Sequence, residues 1–194
     1  MPRTVDSEER RTELGAAAAR VIARAGISGA TMREVAAEAG WTTGALTHYF
    51  SDKGDLLRFT LETSLARRRA QRPRRRELGP HDALRASLVS ALPTDDDARL
   101  HWTVTVAFCA QASADARLAE LQRDAYRDFL ADISALVEAA GRASGAAATA
   151  EASRLIALVD GIAVQALFDP ESWPASRQVS LLDAELAQHT ALNT

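Results

Sequence analysis

Residues 31–50, TMREVAAEAGWTTGALTHYF, carry two helix starts with a glycine between them. Thr31-Met32-Arg33-Glu34 reads as a capping box, in which the threonine hydroxyl accepts an amide N–H three residues on and the glutamate reaches back. Val35, Ala36 and Ala39 give this helix an apolar face, and Gly40 breaks it, because glycine enters positive φ without steric cost. Thr42 then caps a third short helix, expected to run to Tyr49. Two short helices joined by a sharp turn make a helix-turn-helix, whose second helix enters the DNA major groove. Val35, Ala36, Trp41 and Leu46 would bury the contact between them. Thr42, Thr43, Gly44, Ala45, Thr47 and His48 would stay on the outer face, where small side chains bring the backbone close to base edges. The pattern alone reads equally well as two core helices of a helical domain.

The flanks are helical as well. Asp6 or Ser7 is expected to cap a first helix that buries Leu14, Ala18, Val21, Ile22 and Ala25 and ends at Gly26 and Gly29. Asp52 caps a fourth, with Leu56, Leu57, Thr60, Leu61 and Leu65 inward. Pro73, Gly79 and Pro80 mark a boundary near 72–81. Longer helices are expected over 82–92, 97–113, 115–142, 148–168 and 174–190. No strand pattern competes, and 41 of the 194 residues are alanine, the best helix former. The chain is therefore expected to be all-α.

Charge is uneven along the chain. Residues 1–76 hold 15 Lys and Arg against 9 Asp and Glu, and residues 77–194 hold 8 against 17. A basic part joined to an acidic one points to a polyanion partner. The excess, however, comes from seven arginines within RRRAQRPRRR, residues 67–76, which read most simply as a solvated helix end. Arg3, Arg10 and Arg11 are candidates for an arm against the DNA backbone. No secretory signal or run of about 18 apolar residues is visible, so the expected location is the cytoplasm, without a membrane partner. Cys109 is the single cysteine and reads as a small core residue. The four histidines have no metal-ligand spacing, and neither a phosphate loop nor a nucleophile elbow occurs. No cofactor or metal, and no enzyme activity, is expected.

TMREVAAEAGWTTGALTHYFSDKGDLL, residues 31–57, closely resembles the DNA-binding segment of the TetR family of bacterial repressors, and the match extends over residues 8–60. Carried over by that resemblance, Thr31, Tyr49 and Lys53 contact phosphate, and Arg33 reaches a base from the second helix. Thr43, Gly44, Ala45, Thr47 and His48, with Thr42 at their edge, form the base-reading face. Trp41 departs from the family, which has a smaller aliphatic residue there. LAELQRDAYRDFLADI (118–133) and LVDGIAVQALFDPESW (158–173) resemble the subgroup that includes the choline-responsive repressor BetI, without transferring a ligand.

The resemblance divides the chain into a DNA-binding domain, 1–60, and an effector-binding and dimerisation domain, 61–194. Trp102, Thr105, Phe108, Cys109, Tyr126, Phe129, Asp160 and Gln165 are candidates for the effector pocket. Ile156, Val159, Ile162 and Ala163 on one helix and Val179, Leu182 and Leu186 on the next are candidates for the dimer face. The implied function is a homodimeric repressor that binds a palindromic operator in double-stranded DNA and is released by a small-molecule effector. The alternative is a helical protein-interaction module with a degenerate helix-turn-helix.

Overall fold

A computed structural model describes residues 3–70, 78–113 and 115–191. Among these, nine helices and no strand occur: α1 (Arg3–Gly29), α2 (Met32–Ala39), α3 (Thr43–Leu46), α4 (Lys53–Ala70), α5 (Pro80–Val89), α6 (Asp96–Ala112), α7 (Ala116–Ala139), α8 (Gly145–Phe168) and α9 (Ala175–Ala191). The all-α expectation is met. Most of the expected boundary near 72–81, and Arg72, Arg74, Arg75 and Arg76 of the arginine run, lie outside the described residues, as does the side chain of Arg3.

Two compact units emerge from the packing. One comprises Met1–Arg69 and Thr103–Gln122, the other Ala70–Trp102 and Arg123–Thr194. The split expected at residue 60 falls inside α4, which continues unbroken to Ala70. The expected caps of α1 are also displaced, since the chain is already helical at Arg3 and no Gly or Pro stops it before Ser7. Gly26, at φ 69° and ψ 174°, breaks the long run of α1 at a kink, as expected, and one further helical turn follows to Gly29. Leu14, Ala17, Ala18, Val21 and Ile22 are buried along α1, whereas Ala25, next to the kink, is exposed.

The second unit packs Leu84, Leu88 and Leu92 against Ile133, Val137, Leu155, Ile156, Val159 and Ile162. Polar ties hold α9 to this core. Arg85 donates to both oxygens of Asp183 at 2.6 and 2.8 Å. Arg142, almost fully buried with its partner Glu151, lies 2.7 Å from that carboxylate and also donates to the Leu186 carbonyl at 2.8 Å.

This core corrects the expected dimer face. Ile156, Val159, Ile162, Ala163 and Leu182 are at most 2% exposed within one protomer, and Val179 and Leu186 pack against the same cluster. The five buried side chains leave no surface for a partner, whereas Val179 and Leu186 are only partly buried. The cause is that α8 is apolar or small nearly all round, so periodicity does not say which side faces inward. The outer side of α8 carries Ala157, Asp160, Gly161, Gln165 and Phe168, the last 77% exposed. Leu181 and Ala184 are exposed on α9.

Candidate nucleic-acid interface

The first threonine cap forms as its sequence requires. Thr31 Oγ1 accepts the Glu34 N–H at 3.2 Å, opening α2. The reciprocal half of the box does not form, because the Thr31 N–H is already bonded to the Gly29 carbonyl at 2.8 Å. Gly40, at φ 74°, closes α2 in the left-handed region, and the Trp41 N–H returns to the Ala36 carbonyl at 2.8 Å. Thr42 Oγ1 then accepts the Ala45 N–H at 3.1 Å and starts α3.

The recognition helix is shorter than expected. α3 ends at Leu46, and residues 47–49 form a turn instead of continuing to Tyr49. The His48 and Tyr49 N–H groups bond three residues back, to Ala45 and Leu46, which tightens the chain out of the α ladder. Thr47 Oγ1 adds a bond to the Gly44 carbonyl at 2.8 Å. Val35, Ala36, Leu46 and Phe50 are buried at 1% exposure or less, leaving Thr42, Thr43, Gly44, Thr47 and His48 exposed together, with Ala45 and Tyr49 half-buried. Thr31 is exposed at the N-cap of α2, and the Arg33 side chain is 85% exposed. Trp41 meets Tyr49 edge to face, with ring centroids 5.6 Å apart, so the larger residue is accommodated at the rim of the motif.

Charged contacts brace the motif. Arg20 and Arg24 of α1 bond the two oxygens of Glu38 on α2 at 2.7 and 3.0 Å, and these bonds hold that carboxyl below the usual carboxylate range. Lys53 Nζ donates to the carbonyls of Ile27, at 2.7 Å, and Ser28, at 3.2 Å, just past the Gly26 kink. Asp52 caps α4 through the Asp55 N–H at 2.8 Å. Arg11, its side chain 37% exposed, lies over Phe50 and Phe59 and 3.5 Å from Asp55. Neither the Lys53 tie nor the Arg11 contacts were read from sequence. The one local signal is Gly15, a helix-interior glycine one turn beyond Arg11. A Cβ there would lie 3.1 Å from the Phe59 ring.

The effector candidates do not gather in one unit. Thr105, Phe108 and Cys109 belong to the first unit, and Trp102, Tyr126, Phe129, Asp160 and Gln165 to the second. Phe108 is fully buried, whereas Cys109 is exposed: Val104 and Phe108 form the inner face of α6, and Cys109 falls outside it. Trp102 and Phe129 pack on the second core, with Trp102 Nε1 donating to the Ala91 carbonyl at 2.7 Å. Tyr126, Asp160 and Gln165 are exposed on the protomer, and desolvation nevertheless pushes the Asp160 carboxyl up to about 6. A polar cleft of about 360 Å³ in the first unit, lined by Asp52, Asp55, Arg58, Asp115 and Arg117 among others, includes none of these candidates. Among the described residues, no cluster of three metal-ligating side chains occurs, and no helix is long and apolar enough to cross a membrane.

Comparison with known proteins gives matches to both parts of the chain. Residues 14–58 match the bacterial regulatory proteins of the tetR family, and residues 80–191 match the C-terminal region of BetI-type transcriptional repressors. The HTH-type transcriptional regulator PksA of Bacillus subtilis is 32% identical over 88% of this chain and 84% of its own length. The HTH-type transcriptional regulator BetI of Burkholderia mallei is 36% identical over 84% of each chain. A transcriptional regulator from Rhodococcus has the same fold, with a TM-score of 0.82 and 30% identity over 92% of this chain and 94% of that one. A protein from Saccharomonospora viridis, solved in complex with choline, has a TM-score of 0.80 and 22% identity over 91% and 95%.

Proposed function

Since the chain belongs to the TetR family of bacterial regulators, with a BetI-type C-terminal region, it is a DNA-binding transcriptional regulator, and we propose that it acts as a homodimeric repressor released from a palindromic operator by a small-molecule effector. The observation that carries this reading is the exposed set Thr42, Thr43, Gly44, Thr47 and His48, held on a turn seated on the buried Leu46 and Phe50. A surface of small and hydroxylated side chains suits close approach to base edges. Arg33 reads a base in this proposal, and Thr31, Tyr49 and Lys53 fix the register on phosphate. Residues 1–60 supply the DNA contacts, and 61–194 supply effector binding and dimerisation.

The dimer face we propose is the outer side of α8 and α9, with Ala157, Gly161 and Phe168 on the first and Leu181 and Ala184 on the second. Small residues let helices of two protomers approach closely, and a partner would cover Phe168. Two recognition helices could then read half-sites about 34–36 Å apart. Choline is the first effector to test, supported by the BetI-type match and by the choline held in the Saccharomonospora viridis protein. No catalytic role is part of this reading, and the protein acts in the cytoplasm.

The testing experiment is selection of bound duplexes from a random DNA pool by the purified protein. One enriched palindrome is expected. A folded dimer that enriches nothing at low or moderate salt would overturn the operator reading in favour of a protein-interaction module.

A further inference from the structure

We propose that Arg11 is a positioning residue for DNA reading: it sets the direction of the recognition turn without touching DNA. The inference rests on the operator-binding function proposed above. α3 has four residues, so its own hydrogen bonds make a single turn and cannot fix where its outer face points. The direction must come from the residues on which the turn is seated. Phe50, which directly follows the turn, is 1% exposed. The Arg11 guanidinium carbon lies 5.1 Å from the Phe50 ring centre and 4.5 Å from that of Phe59 on α4. The two rings are themselves 5.4 Å apart. Both distances are within the range where a cation is held by the face of an aromatic ring.

The same guanidinium reaches Asp55 Oδ1 at 3.5 Å, and Asp55 Oδ2 accepts the Ser51 N–H at 3.1 Å. One side chain on α1 thus meets the exit of the recognition turn twice, through the Phe50 ring and through the carboxylate that holds Ser51. Arg11 Nε is buried without a hydrogen bond, while the side chain as a whole stays 37% exposed. Gly15 completes the seat, since a Cβ there would lie 3.1 Å from the Phe59 ring and press on it.

The test compares the full-length wild type with Arg11→Met, Arg11→Lys and Phe59→Leu. Affinity is measured at several salt concentrations for the selected operator and for a random duplex of equal length. Arg11→Met is expected to bind operator about tenfold more weakly, the scale of one lost cation–π contact. Its affinity for random duplex and its salt slope should stay unchanged, and Arg11→Lys should recover part of the loss. Equal losses on both duplexes, with a salt slope lower by about 0.9, would make Arg11 a phosphate contact and overturn the proposal. So would unchanged operator affinity. If Arg11→Met does not fold, Phe59→Leu decides. It keeps the arginine charge, removes one ring face, and should lower the operator-to-random ratio; an unchanged ratio overturns the proposal. Amide chemical shifts of Thr43–Tyr49 separate this inference from the functional reading. If the wild type prefers no duplex, that reading fails, while shifts unmoved by Arg11→Lys and Phe59→Leu overturn the role of Arg11 in setting the turn.

Discussion

The Lys53 ammonium donates to the carbonyl oxygen of Ile27 at 2.7 Å, so the first residue of α4 closes the kinked end of α1. With the Ser28 carbonyl at 3.2 Å, two of its three protons are engaged, which leaves one for the phosphate contact proposed above. Lys53→Met should therefore act twice. Loss of a charged hydrogen bond lowers stability by about 1–3 kcal/mol, read by urea denaturation at fixed protein concentration. Loss of a phosphate contact weakens operator and random duplex alike and lowers the salt slope by about 0.9. A destabilised variant with the wild-type slope would show that Lys53 works only inside the protein.

Thr43 and His48 are exposed on the same turn, on either side of Gly44 and Ala45, which have no polar side chain. Thr43→Val and His48→Ala should change the selected sequence, with a discrimination of about 1–3 kcal/mol at the affected base pair. Binding to random duplex should be little altered. Repeating the duplex selection with each variant checks this, and an unchanged consensus in both would remove them from the reading face.

What could be read from sequence was what is decided locally. The hydroxyl caps of Thr31 and Thr42, the carboxylate cap of Asp52 and the left-handed Gly40 each depend on three or four neighbouring residues, and each forms. The inner face of α4 was equally legible, because only one side of that helix is apolar. α8 was not, since Ile156 and Ala157 are both suitable for a core and only tertiary packing buries the first. The contacts of Arg11 were not legible because its partners lie 39, 44 and 48 positions away, at Phe50, Asp55 and Phe59. The true end of α3 depends on Phe50 being drawn into the core, which no propensity of Thr47 or His48 encodes.

The buried pair Arg142–Glu151 predicts a non-additive response. Both side chains are about 5% exposed, and Arg142 also bonds the Leu186 carbonyl. Arg142→Met leaves the Glu151 charge buried and should cost about 3–5 kcal/mol. Adding Glu151→Leu should restore much of that loss, because the uncompensated charge disappears. Urea denaturation of the two single variants and the double variant measures the coupling. Additive losses would mean that Glu151 finds solvent or another partner.

Asp160 predicts a pH dependence of opposite sign to that of the ion-paired carboxylates. Its carboxyl is pushed up to about 6 by desolvation, whereas in the unfolded chain it titrates near the ordinary aspartate value of about 4. Between those values the folded state holds a proton that the unfolded state has released. Stability contributed by this group is therefore greatest in acid and falls as pH rises from about 4 to about 6. Asp183, held low by Arg85, contributes in the reverse sense: its stabilisation is lost as pH falls through the carboxylate range. That contribution is common to wild type and Asp160→Asn, so the difference between their stabilities isolates Asp160. Urea denaturation across this range at fixed protein concentration should show Asp160→Asn gaining on the wild type as pH rises through the window, and parallel profiles would show that the carboxylate is solvated. Asp160 lies beside Gly161 on the outer side of α8, the face proposed to meet a second protomer, so the gain should be larger when measured as dimer dissociation than as unfolding of the monomer.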